Sequence, residues 1–375
     1  MALITSQRDY QKYLIKISKK AVKTQKGFKT AHNSFDRFCK QQYKDSGESI
    51  IEEMKIAEDE AIFDILQEWI NWLDIAPGTI PIYFTHMRTY LHWRGIKLNP
   101  LDVKLELDFP RPEQEELHPL SIEEIKKLLD VANYKNRTMY LCMLSAGLRP
   151  IEIAHIKKSN LELDKKRIVV HVPARYTKLK RAKTSFFSSE AGRMLKPILK
   201  RTSDDDYIFK GNSSTKAGVF ARYRERVALD DRFDSTDRGK INLMGFRAWF
   251  ITKISRHDPN LAKKWSGQKG YMLQYDRLTL DEQLDKYLEF EKDLIIDSTE
   301  RQKRIIDEKD RKIADIEKDK IRIDKLEDAL NTLMFIANGK DWGYSDADID
   351  KIWDQFNPKF HEILDEAKKS GSKRL

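Results

Sequence analysis

The sequence predicts a mainly α-helical chain with a small antiparallel β-sheet: a helical N-terminal domain, a mixed central domain and a charged helical C-terminal extension. Three patterns carry this reading. Apolar residues recur at helical spacing through the first hundred or so positions. Apolar–polar alternation is confined to residues 160–187. Beyond about residue 297, charge becomes dense around an apolar seam of heptad-compatible spacing. The 375 residues suffice for two ordinary domains and an appendage.

Residues 1–105 read as helical. Lys16, Lys19, Lys20, Lys23, Lys26 and Lys29 crowd the start, and Phe28, Phe35 and Phe38 follow as a core stripe. Ile62, Ile65, Leu66, Trp69, Ile70 and Leu73 mark a second amphipathic helix. Pro77-Gly78 breaks the chain, and Thr79 is placed to cap a third helix carrying Ile82, Tyr83, Met87, Tyr90 and Leu91. Residues 106–118, with Pro110, Pro112 and several acids, read as a linker. The central domain, 119–296, opens with Ser121-Ile-Glu-Glu124, a capping-box sequence whose helix faces inward through Ile125, Leu128 and Leu129. A helix over 140–154 is loosened at Gly147, and Pro150 suits the first turn of a new one. Residues 160–172 read as two strands around a turn at 164–166, with a third strand at 184–187.

In the extension, 297–375, a long helix over 298–333 sets Ile305, Ile316, Ile323, Leu326, Leu330 and Leu333 on one seam, interrupted by Lys312 and Asp319. Such a helix is expected to pack on a partner, either another protomer or the body of the chain. One or two short helices with Ile349, Ile352, Trp353, Phe356 and Phe360 follow.

Composition narrows the function. Net charge is +10 and the isoelectric point near 9.2, which favours a polyanionic partner through counterion release, although a lysine-rich surface kept for solubility gives the same number. The two cysteines, Cys39 and Cys142, lie far apart outside any ligand-spaced motif, arguing against a disulfide scaffold or structural zinc and for a reducing cytoplasm. The N-terminal residues are too polar for a secretory signal, and no apolar run approaches the roughly 20 residues of a membrane span. A cytoplasmic protein is expected, without a membrane partner. No nucleotide-binding glycine loop, acidic metal cluster or zinc spacing occurs, so neither cofactor nor metal is expected.

Four residues of the middle third form a set suited to attack on a phosphodiester: Arg149 in Ser145-Ala-Gly-Leu-Arg-Pro-Ile-Glu152, Lys178, Arg247 in Met244-Gly-Phe-Arg247, and Tyr275 in Gln274-Tyr-Asp-Arg-Leu278. Guanidinium groups match the charge and geometry of the non-bridging oxygens. A phenol can serve as nucleophile, and a lysine can supply the proton for the leaving oxygen. Each has a plain alternative: a helix-end arginine, a solvated lysine, an arginine extending to the surface, a rim aromatic.

These segments resemble the two arginine boxes of the tyrosine recombinases, or phage-type integrases, and are most similar to the integrases of archaeal viruses and mobile elements. The resemblance is strong over residues 119–296 and weak before them. It implies that Glu152 orients Arg149 or a neighbour, and that a lysine on the turn between the second and third strands reaches the leaving oxygen. Lys178 fits that place, with Lys180 and Lys183 as rivals. Together with Arg175 and Arg181, these two are otherwise expected to contact DNA phosphates, as are Lys20 and Lys23 near the N-terminus. Tyr271 is the rival of Tyr275 as nucleophile. The chain departs from the family where two histidines are usual. Met244 stands in one place, and Gln268, able to hydrogen-bond but not to act as acid or base, in the other. The implied activity is site-specific cleavage and rejoining of duplex DNA through a 3′-phosphotyrosine link, without metal or ATP, by a tetramer on paired sites. A type IB-like topoisomerase and a catalytically silent DNA-binding protein are the alternatives.

Overall fold

The computed structural model describes residues 8–371 except 235, 271–276, 339–340, 342 and 344. The chain divides into two compact units: residues 1–118 with 228–241, and residues 119–227 with 242–375.

The first unit is helical. It comprises α1 (Tyr10–Ile17), α2 (Val22–Gln42), α3 (Gly47–Met54), α4 (Asp59–Trp72), α5 (Ile80–Arg94) and α6 (Pro100–Glu106). The phenylalanine stripe lies on α2, where Phe28, Phe35 and Phe38 are all buried. On α4, Ile62, Leu66, Trp69 and Ile70 face the same core, as 3.6-residue periodicity dictates. On α5 the inward residues are Ile80, Phe84, Met87, Tyr90 and Leu91, whereas Ile82 is exposed. Thr79 makes no side-chain cap, because it already belongs to a 3₁₀ turn begun by Pro77. One ionic knot sits inside this unit. Glu48 accepts from Tyr90 and Arg94 and contacts His32, and Arg94 also reaches Glu52. Its carboxyl titrates near 2: burial opposes the charge, but these partners overcome it. In the stretch after α6, Leu107 is part of the core and Gln67 exchanges two hydrogen bonds with the Asp108 backbone.

The second unit contains α7 (Ile122–Val131), α8 (Tyr134–Ala146), α9 (Pro150–Ala154), β1 (Leu161–Glu162), β2 (Val169–Val172), β3 (Lys183–Phe186), α10 (Ser189–Leu199), α11 (Ser213–Arg226), α12 (Leu243–Ser255), α13 (Pro259–Ser266), α14 (Leu280–Phe290), α15 (Ser298–Asn338) and α16 (Asp346–Gly371). The capping box forms at Ser121 and Glu124. Every residue of α8 from Thr138 to Ala146 is buried, so this helix is the axis of the unit, flanked by α10 and α12. The antiparallel sheet has the order β1-β2-β3, with Val172 opposite Lys183 and Val170 opposite Ser185.

α14 is followed by a 3₁₀ turn whose Glu291, fully buried, receives both ends of the Arg167 guanidinium and the Ser189 amide. Asp297 then caps α15 through the Thr299 and Glu300 amides, and Arg193 pairs with Glu300. α15 is one continuous 41-residue helix, as the charge pattern suggested. α16 is a single helix that packs against it, with Ala329 and Ile349 buried. Among the described residues most of the expected seam stays exposed: Ile316 and Ile323 are 66% and 54% exposed.

Candidate active site

The site grows from the end of α8. Gly147 terminates that helix with φ +61°, and a Cβ there would lie 2.4 Å from Phe250 Cδ1, so both conformation and space demand glycine. The last carbonyls of a helix lack intrahelical donors. Here three in succession are satisfied by side chains from three different elements. Tyr287 of α14 donates its hydroxyl to Ser145 O at 2.8 Å, Ser185 of β3 donates to Ala146 O at 3.0 Å, and Arg247 of α12 donates Nη1 to Gly147 O at 2.6 Å. The chain then extends through Arg149, and Pro150 starts α9.

Arg149 and Glu152 lock together. The Arg149 amide donates to Glu152 Oε2 and its Nη1 to Oε1, both at 2.8 Å. Glu152 is fully buried and takes a second cation, Lys183 Nζ, 2.8 Å from Oε2. Burial works against the Glu152 charge, but Lys183 and Arg149 hold its carboxyl below the usual range.

Lys183, read from the sequence as a rival of Lys178 and otherwise as a surface phosphate contact, is not on the surface. Its side chain is 4% exposed, and Nζ also donates to Ser266 O at 3.0 Å. Its stem runs beside Gly267, where an added Cβ would meet Lys183 Cδ at 2.8 Å. Burial pulls its pKa down to about 8, with Glu152 opposing and Arg247 and Arg149 adding to the fall. Lys178, by contrast, is exposed on the turn before β3. The sequence reading favoured Lys178 for the leaving-oxygen role from the resemblance, with Lys180 and Lys183 as rivals in a stretch holding five basic residues in nine positions. The usable signal was strand parity: Lys183 shares a face with the buried Ser185 and pairs with the buried Val172.

Arg247 is 3% exposed and has no ion-pair partner among the described residues. Burial and the neighbouring Arg149 lower its pKa to about 10, so it stays charged at neutral pH. Two cationic side chains, Arg149 and Lys183, thus share one carboxylate while Arg247 stands nearby on the Gly147 carbonyl, and the excess positive charge is held where water screens it poorly. Such a site is built for an anion.

Met244 lies on the first turn of α12, 45% exposed, its amide held by Asn242. Gln268 follows the Ser266-Gly267 end of α13 and is half-buried, its amide bonded to Lys263 O. Tyr271 and Tyr275 lie outside the described residues. Arg175, Lys180 and Arg181 are exposed on the loop before β3, which Thr177 braces through the Arg181 amide. Lys20 and Lys23 are exposed on the first unit. His257 does not join the cluster: it pairs with Asp293 and stacks on Phe290.

Comparison with known proteins places these residues in context. Residues 119–248 match the model of the phage integrase family. Among curated relatives, tyrosine recombinase XerA of Thermococcus kodakarensis is 26% identical, with 28% of this chain and 52% of the relative covered. The XerA of Thermococcus onnurineus is 24% identical, with 30% and 54% covered. The match therefore spans about half the length of either relative. Among solved structures, a lambda integrase fragment, crystallised as a dimer bound to a core site, aligns at 12% identity over 72% of this chain and 97% of its own, with a TM-score of 0.49.

Proposed function

We propose that this chain, whose residues 119–248 match the model of the phage integrase family, is a site-specific DNA recombinase that cleaves and rejoins duplex DNA through a 3′-phosphotyrosine intermediate. The observation that carries the reading is the cluster in which Arg149 and Lys183 pair with the buried Glu152 carboxylate while the buried Arg247 is held beside them on the Gly147 carbonyl. A scissile phosphate would supply the missing negative charge. The two guanidinium groups would bind its non-bridging oxygens and stabilise the charge that builds there in the transition state.

In the proposed reaction a tyrosine, Tyr275 with Tyr271 as its rival, attacks the phosphorus as its phenolic proton passes to solvent. The P–O bond to the 5′-oxygen breaks as the tyrosyl ester forms. Lys183 gives its proton to the departing 5′-oxygen, a role assigned to it rather than to Lys178 because its ammonium is the one held in the cluster. Ester exchange conserves the bond, so rejoining needs no ATP. The free 5′-hydroxyl of a partner strand then attacks the phosphotyrosine, and the tyrosine leaves. Pairing of strands from two sites implies assembly of several copies on DNA, a tetramer being the simplest arrangement. The exposed Arg175, Lys180, Arg181, Lys20 and Lys23 would serve as backbone contacts that position the duplex.

The direct test is a nicked suicide substrate that cannot be religated, with the covalent protein–DNA band read on a denaturing gel. A band lost in Tyr275→Phe and kept in Tyr271→Phe is expected. Confirmed DNA binding without any band would instead make the chain a silent DNA-binding protein, in line with its Met244 and Gln268. Relaxation of plasmid DNA lacking paired sites would point to a topoisomerase.

A further inference from the structure

We propose that Tyr287 is a positioning residue for strand cleavage: its buried hydroxyl fixes the arginine-bearing turn and ties it to the first helix after the segment holding both candidate nucleophiles. The inference rests on the recombinase reading above.

Tyr287 is fully buried, its ring packed against Phe186 and Trp265 with centroids 5.1 and 5.6 Å away. A phenylalanine would fill that space equally well. A buried hydroxyl is tolerated only when bonded, and this one donates to Ser145 O at 2.8 Å. That carbonyl is the first of the three that end α8, two residues before Gly147 O, which holds Arg247, and four before Arg149. The other two donors to the turn come from elements that carry reactive groups: β3 bears Lys183 two positions before Ser185, and α12 bears Arg247. Tyr287 gives α14 the same link. The far end of α14 is anchored through Glu291 to Arg167 and the Ser189 amide. A shift of α14 therefore cannot be absorbed at its C-terminal end and must be felt at the turn. Loss of the hydroxyl leaves Ser145 O without that donor and frees the turn to move by the small distances that decide reactivity.

The test compares Tyr287→Phe with Phe290→Leu, a core change on the same helix at a residue 5% exposed that stacks on His257 instead of reaching the turn. Three quantities are read: DNA affinity, the first-order rate of adduct formation on the suicide substrate at saturating protein, and hydrogen exchange of amides 145–149. Tyr287→Phe is expected to slow adduct formation roughly ten- to a hundredfold, with affinity unchanged and faster exchange in the turn. Phe290→Leu is expected to lower the melting temperature at least as much while leaving rate and turn exchange near wild type. An unchanged rate in Tyr287→Phe, or slowing of both variants in proportion to lost stability, overturns the proposal. Should the wild-type chain form no adduct, the recombinase reading fails on its own, and turn exchange decides the positioning role: exchange no faster in Tyr287→Phe overturns it.

Discussion

At the scale of single residues, the cluster around Glu152 sets the expectations. Lys183→Met should reduce adduct formation on the suicide substrate by about a hundredfold or more, whereas Lys178→Met should leave the rate near wild type and weaken DNA binding only slightly. Equal losses in both would return the proton donor to the exposed turn. The same assignment fixes a pH dependence. Lys183 must be protonated to donate, and its pKa lies at about 8, so adduct formation should fall as pH rises through that value. The stability contribution runs the other way. The unfolded chain holds this proton up to the ordinary lysine value of about 10.4, while the folded chain releases it near 8. Between those two values the unfolded state binds more protons, so the contribution to stability rises with pH. Gly147→Ala combines a left-handed backbone with a collision against Phe250, and should destabilise by about 2–4 kcal/mol in urea unfolding. A loss under 1 kcal/mol would show that the turn can relax around a side chain.

At the scale of elements, local rules and tertiary pairing have different strengths. Ser121→Ala removes one half of a formed capping box and should cost about 1 kcal/mol. Glu291→Ala leaves the Arg167 guanidinium in the interior without its carboxylate, and should cost about 3–5 kcal/mol by the same measurement. The capping box was legible from four consecutive residues because a cap is a local contact. The Arg167–Glu291 pair was not, since its partners are 124 positions apart and neither neighbourhood marks them. The strands show the intermediate case. Alternation located β3 to within a residue and β2 to within two, but register was needed to show that Lys183 points inward.

At the scale of the whole molecule, charge and the extension matter most. A chain of net charge +10 that binds DNA through phosphates should lose affinity steeply with added salt. A slope near zero in a titration between low and physiological salt would remove the backbone-contact reading of the exposed cations. The extension is fastened at its root by Asp297, Arg193 and Glu300, yet its apolar seam faces solvent. Removal of residues 297–375 should therefore change the oligomeric mass on DNA or the cleavage rate. If light scattering and adduct assays both stay the same, the extension is a passenger. The sequence by itself determined the helical and strand content, an interruption of the helix at Gly147 and a restart at Pro150. Periodicity, caps and turn residues act over a few positions, and the arginine boxes are short. Only the tertiary structure decided that Lys183 rather than Lys178 meets Glu152, that Arg247 is held by the Gly147 carbonyl, and that Tyr287 reaches Ser145. These contacts join residues that are 31, 100 and 142 positions apart, and their energies come from burial and desolvation that exist only once the chain has closed around them.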